Sequence, residues 1–193
     1  MKNLVKYISE SYEYTHNLSK SEQDWVNYNK GKSKNKVQPK SKKELIKIIN
    51  DSFEKGVYDL NFIDTSKITD MSWLFENVKH NFDVSDWDVS NVKDMTGMFY
   101  CCKNFDCDLS NWDVSNVTDM TSMFGYCNKF DCDLSNWDVS NVTDMYSMFT
   151  MCKNFKGKGL ENWYVSKAED MRYMFSGCDK MTIPNWYKLY HKK

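Results

Sequence analysis

Five methionines, each preceded by aspartate, stand at positions 71, 95, 120, 145 and 171, at spacings of 24, 25, 25 and 26 residues. Residues 84–108 read VSDWDVSNVKDMTGMFYCCKNFDCD, 109–133 read LSNWDVSNVTDMTSMFGYCNKFDCD, and 134–158 read LSNWDVSNVTDMYSMFTMCKNFKGK. A looser copy follows at 160–184, and a degenerate one precedes them from Leu60 to Phe75. A period near 25 constrains the fold more than any other feature, because it lies in the window of stacked repeat arrays. Each unit then buries its apolar side only against its neighbours, about 4.8 Å away, and equivalent residues form columns. The expected columns are Trp87/Trp112/Trp137/Trp163, Val89/Val114/Val139/Val165 and Val92/Val117/Val142. They continue with Met95/Met120/Met145/Met171, Met98/Met123/Met148/Met174 and Phe99/Phe124/Phe149/Phe175. Trp-x-Val alternates with period two and predicts a short strand. Met120, Met123, Phe124 and Cys127 have the spacing of a tight helical or 3-10 turn.

The pattern Trp-Asp-Val-Ser-x-Val-x-x-Met-x-x-Met-Phe-x-x-Cys, with an apolar residue ahead of it, resembles the BspA-type leucine-rich repeat. The flanks VQPKSKKELIKIINDSFEKG and IPNWYK are also similar to that family, so the likeness covers about residues 37–188. The resemblance implies an α/β repeat solenoid, leucine-rich-repeat-like, of about five coils with short strands, short helical or 3-10 turns and a helical N-terminal cap. The expected divisions are a leader and lysine-rich linker (1–36), the helical cap (37–57), the solenoid (58–183) and a C-terminal cap with a basic tail (184–193). Family members with secretion signals are surface proteins that bind host or matrix proteins. The N-terminal apolar stretch here is broken by Lys6 and Ser9, so the expectation is a chain not secreted by a signal peptide, which disfavours an adhesin role.

Stacked repeats need closed ends. Ser41-Lys-Lys-Glu44 is a capping box opening a helix over 41–55, with Leu45, Ile46, Ile48, Ile49 and Phe53 on one face and Gly56 as its stop. Pro184, Trp186, Tyr187 and Tyr190 are expected to close the other end. At the start, Tyr7-Ile8-Ser9-Glu10 followed by Ser11 resembles the capsid-targeting leader of internal head proteins of large tailed phages. That likeness implies a virion-packaged chain with a processing site at Glu10 and Ser11. An amphipathic helix with Leu4, Ile8 and Tyr12 on one side is the other reading of the same residues.

Charge narrows the partners. Residues 1–57 carry net +5, residues 58–178 net −9 and residues 179–193 net +3, for −1 overall. The seven lysines of Lys30–Lys43 lack interleaved aromatics, and acidic repeats repel phosphate, so no nucleic-acid partner is expected. No apolar run approaches a membrane span. A cytoplasmic or virion-packaged chain, monomeric, with reduced thiols, is the expectation.

The recurring Asp70, Asp94, Asp119, Asp144 and Asp170 invite a cation reading, but N-capping of the following turn accounts for their place directly before Met-x-x-Met-Phe. Asn91/Asn116/Asn141 and Ser90/Ser115/Ser140/Ser166 suit buried coil-to-coil hydrogen bonds. Cys102/Cys127/Cys152/Cys178 have Val78 as their first-copy equivalent, which marks a packing column, and no paired Cys-x2-Cys spacing calls for zinc. No nucleophile elbow, Walker loop, dinucleotide or zinc-protease motif occurs, so neither catalysis nor a cofactor nor a metal is expected. What differs between copies points outward. Those positions carry Trp73, Tyr100, Tyr126, Tyr146, Met151, Arg172 and Tyr173, the residue types enriched in interface cores. The expected function is a non-catalytic protein-interaction module, acting on a host protein if phage-encoded. A structural or packaged virion protein is the alternative.

Overall fold

The structure is a computed structural model and describes residues 36–190. The chain divides between Val37 and Gln38, and the unit from Gln38 onward is described by itself. It begins with α1, Lys42–Glu54, and ends with α2, Asn185–Tyr190; a single 3-10 turn, Leu160–Asn162, lies between. Ser41 Oγ accepts from Glu44 N–H at 3.2 Å, and Glu44 Oε2 accepts from Lys40 N–H at 2.8 Å. At the other end of α1, Gly56 (φ 71°) lets its own N–H reach Phe53 O and the Val57 N–H reach Ser52 O, the paired closure of a Schellman motif. Leu45 and Ile49 are buried, and Phe53 meets Phe75 and Phe82. Ile46 faces water instead, contrary to the expected apolar face.

Between the helices the expected α/β solenoid of short strands and helical turns is not what forms. Among the described residues there is no strand, and neither α-helix lies within the repeats. The Trp-x-Val stretch turns before it can extend: Trp87 N–H bonds Val84 O, Val92 N–H bonds Val89 O, and Asp88 Oδ1 accepts from Ser90 N–H. The Met-x-x-Met-Phe stretch is no helix either, for a reason visible in its dihedral angles. The residue two after each methionine has positive φ (Trp73, Gly97, Ser122, Ser147, Tyr173), and so does the residue six after it (Asn77, Cys101, Tyr126, Met151, Gly177). A right-handed helix cannot pass through these positions.

Turns replace it. In the third copy the N–H groups of Met123, Gly125 and Cys127 bond back to the carbonyls of Met120, Ser122 and Phe124. The intervening N–H groups point the other way: Met120, Ser122, Phe124 and Tyr126 donate to Asp144, Tyr146, Met148 and Thr150 of the next copy at 2.7–2.9 Å. The same alternation joins every adjacent pair of copies, and parallel bridges link Asp70, Asp94, Asp119, Asp144 and Asp170 in series. Each copy but the last thus sends alternate turn-segment N–H groups to its own carbonyls and to those of its neighbour.

The aspartates therefore do not N-cap helices. Each accepts from the N–H two residues on (Ser72, Thr96, Thr121, Tyr146, Arg172) at 2.8–2.9 Å, as an Asx turn. The asparagines do bond from copy to copy, Asn91, Asn116 and Asn141 donating to Ser66, Ser90 and Ser115 carbonyls, although they are not buried.

Inside, the columns stand as their periodicity requires, except that Val165 of the last copy is only half-buried. Phe75, Phe99, Phe124, Phe149 and Phe175 stack at 5.4–5.8 Å with rings within 11° of parallel. A second column, Phe82/Phe105/Phe130/Phe155, interleaves with it at 4.0–4.5 Å. Indole N–H groups bind the chain before them: Trp87, Trp112, Trp137 and Trp163 donate to Leu60, Val84, Leu109 and Leu134 carbonyls. Trp186 of α2 continues the series to Leu160. Cys102, Cys127, Cys152 and Cys178 do the same with their thiols, onto Phe75, Phe99, Phe124 and Phe149 carbonyls at 2.8–2.9 Å. The one-residue excess in the last spacing falls at Gly159 (φ 89°), where a Cβ would strike the Ser135 backbone.

Candidate functional site

In each turn segment, which runs from Asp-Met-x-x-Met-Phe through the three residues that follow, both methionine positions and the phenylalanine face inward, and the outward residues line a strip one segment wide. The seven variable residues all belong to these segments. Trp73 meets Tyr100 edge-on at 5.8 Å, and Tyr100 meets Tyr126 likewise at 5.6 Å. Tyr146 and Tyr173 form a second edge-on pair at 5.8 Å, with the Arg172 guanidinium 5.7 Å from the Tyr146 ring. The Ser122 N–H bond to Tyr146 O ties the two groups together through the backbone. Edge-to-face geometry suits the ring quadrupoles and holds each ring in one orientation.

The glycines of neighbouring copies make room for these side chains. Trp73 lies where a Cβ on Gly97 would be, Tyr100 crowds Gly125, and Met151 crowds Gly177. Trp73, Tyr126, Met151 and Tyr173 are nonetheless exposed by 38–60%. These same four occupy the left-handed backbone positions, with φ between 56° and 64°. An L-residue there costs roughly 1–2 kcal/mol. Tyr100 and Tyr146 are half-buried and Arg172 is exposed. The Arg172 guanidinium bonds both carboxylate oxygens of Asp170 and holds that carboxyl below the usual carboxylate range.

Two exposed aromatics, Tyr58 and Tyr164, escaped the sequence reading, and Tyr58 packs on Phe53 beside α1. Tyr164 is 67% exposed and stands where other copies carry Asp88, Asp113 and Asp138, and that departure from the repeat was the available signal. No ring contact joins it to the strip. Burial pushes the thiols of Cys102 and Cys107 up to about 12, and those of Cys132 and Cys178 up to about 11, so they act as packing groups and weak donors. Among the described residues no three metal-ligating side chains converge, and no helix is long and apolar enough to cross a membrane. Glu10 and Ser11, with the leader they belong to, lie outside the described residues.

Comparison with known families meets this geometry at the repeats. The profile of a family described as "Mycoplasma protein of unknown function, DUF285" matches residues 43–158 and, overlapping, 69–187. The chain belongs to this family. The matched span runs from α1 through every turn segment to the start of α2, so the family's shared part is the stack and its two closures. No curated protein and no solved structure matches the chain.

Proposed function

We propose that this chain is a non-catalytic protein-binding module of the BspA-type repeat class, and that it binds through the outer strip of its turn segments. One observation carries the reading: four large side chains occupy backbone positions that favour glycine, and all four are exposed. Gly97 and Gly177 at equivalent positions demonstrate that the stack accepts glycine there. Nothing in the packing of the interior requires Trp73, Tyr126, Met151 or Tyr173. Strained residues retained on a surface point to function. Tyr, Trp, Met and Arg on a rigid backbone supply contact area at small entropic cost, which is what interface cores use.

The test is partner capture with the full chain against the double variant Tyr126→Ala plus Tyr146→Ala, both verified folded by thermal denaturation. A partner held by the wild type is expected to weaken at least tenfold. Undiminished capture by the double variant places the binding surface elsewhere.

A further inference from the structure

At both ends of the row of aspartates that open the turn segments, the molecule holds a cation of its own. At the first, Lys42 of α1 lays its ammonium on Asp70 Oδ1 at 2.7 Å and on Ser72 Oγ at 2.6 Å, and Ser72 Oγ donates in turn to Asp70. At the last, the Arg172 guanidinium bonds Asp170 and lies over the Tyr146 ring. The pair that receives Lys42 recurs in the next two copies. Asp94 with Thr96, and Asp119 with Thr121, repeat its spacing, a hydroxyl two residues after the aspartate, and its N–H bond to the carboxylate at 2.8 Å. All four of these residues are partly exposed. Thr121 Oγ1 donates to Asp144 Oδ1 at 2.8 Å, and a hydroxyl that donates can still accept, as Ser72 does from Lys42. The outward positions of the five segments hold six carboxylates, the five opening aspartates and Glu76, against the one guanidinium of Arg172.

We infer that the strip's partner is a basic protein surface, whose lysine or arginine side chains settle on Asp94/Thr96 and Asp119/Thr121 as Lys42 settles on Asp70/Ser72. This rests on the strip being the binding surface and adds the chemistry of what it binds. Trp73, Tyr100 and Tyr126 belong to the same three copies. Their rings offer faces to the apolar stems of those side chains and to the charge at the tip. Bonds from an ammonium or guanidinium to a carboxylate are shorter and stronger than neutral ones, and Arg172 on Asp170 and Tyr146 combines both kinds of contact within the molecule. The summed field of the carboxylates speeds encounter with a basic partner and turns acidic ones away. Residues 58–178 carry net −9, so the rest of the stack reinforces that field rather than opposing it.

The probe is a displayed library of random short peptides selected on the full chain, followed by affinity measurement of the peptides recovered. Peptides rich in lysine and arginine are expected, and Asp94→Asn plus Asp119→Asn should weaken them at least tenfold. Asparagine accepts the same N–H bond, so the turns are kept. Asp88→Asn plus Asp113→Asn makes the same change of charge outside the strip, in turns of the same kind, and should leave the affinity within twofold. Recovered peptides with no excess of basic residues overturn the inference. An equal loss in the two asparagine pairs overturns it too, because it marks attraction to net negative charge alone. After either result, peptides that still weaken with Tyr126→Ala plus Tyr146→Ala leave the strip as the binding surface. Recovery of no peptide, or of peptides indifferent to that tyrosine pair, overturns both readings.

Discussion

Replacing Tyr173 by alanine and by glycine isolates the backbone strain that underlies the functional reading. Both variants remove the same ring and the same 5.8 Å contact with Tyr146, so those losses cancel in the comparison. What differs is the fit to φ 60°. Alanine there bears about 1–2 kcal/mol of left-handed strain, and glycine bears none. Glycine in turn loses about 0.5–1 kcal/mol more backbone entropy on folding. The difference leaves Tyr173→Gly more stable than Tyr173→Ala by about 0.5–1 kcal/mol. With a urea slope of about 2 kcal/mol/M, the midpoints should separate by about 0.3–0.5 M. Asn50, exposed in the middle of α1, supplies the control. There alanine should exceed glycine by about 1 kcal/mol, reversing the order. Alanine equal to or better than glycine at residue 173 would refute the left-handed turn, and with it the claim that the strip is held at a cost.

Three further outcomes follow from the interior and its edges. The buried thiols have folded-state values above their ordinary 9.0, so the stability they contribute is complete below pH 9 and is lost as pH rises towards 12. Between pH 8 and pH 10 urea denaturation should show a total fall of about 1.4 kcal/mol for each such thiol, nearly all of it above pH 9. Trp137→Phe strands the Leu109 carbonyl, whose indole donor sits at 3.0 Å, and should cost about 1–3 kcal/mol by the same measurement. Lys158, followed by Ser135, lowers the Asp133 carboxyl to about 2, so stability linked to it is present above pH 4 and lost as pH falls towards 2. In Lys158→Ala an NMR titration of the Asp133 carboxyl should move up towards the ordinary carboxylate range.

Much of this architecture was legible in the residues, and its failures have particular causes. Period and column identity follow from repetition alone, and Trp112, Val114, Met120, Met123 and Phe124 are buried as the alignment of copies requires. The Phe82/Phe105/Phe130/Phe155 column was harder to see. The spacing from Val78 to Phe82 exceeds that from Cys102 to Phe105 by one, which breaks the first copy's register. The expected helical turns fail because Met120, Met123, Phe124 and Cys127 satisfy a helical spacing as well as they satisfy successive turns that face the same interior. Only φ distinguishes the two, and Ser122 and Tyr126 carry no sign of their left-handed backbone. Gly97 and Gly177, at the same positions in other copies, carried that sign. The outward set was readable because those positions vary between copies.

The alternation of bonds within each turn segment has an evolutionary corollary. A unit that satisfies half its polar backbone within itself and half through whichever unit follows is indifferent to how many units there are. Duplicating or deleting 25 residues between any two copies joins the same donors to the same acceptors, and the interior columns lengthen or shorten by one side chain each. Only the two ends carry information about size: α1, which closes the first unit, and the Trp186 segment, which seats its indole on Leu160 as a unit would before turning into a helix. Chain length in such a protein can therefore drift by unequal exchange while the fold stays intact, and natural variation in size should come in whole units between unchanged ends.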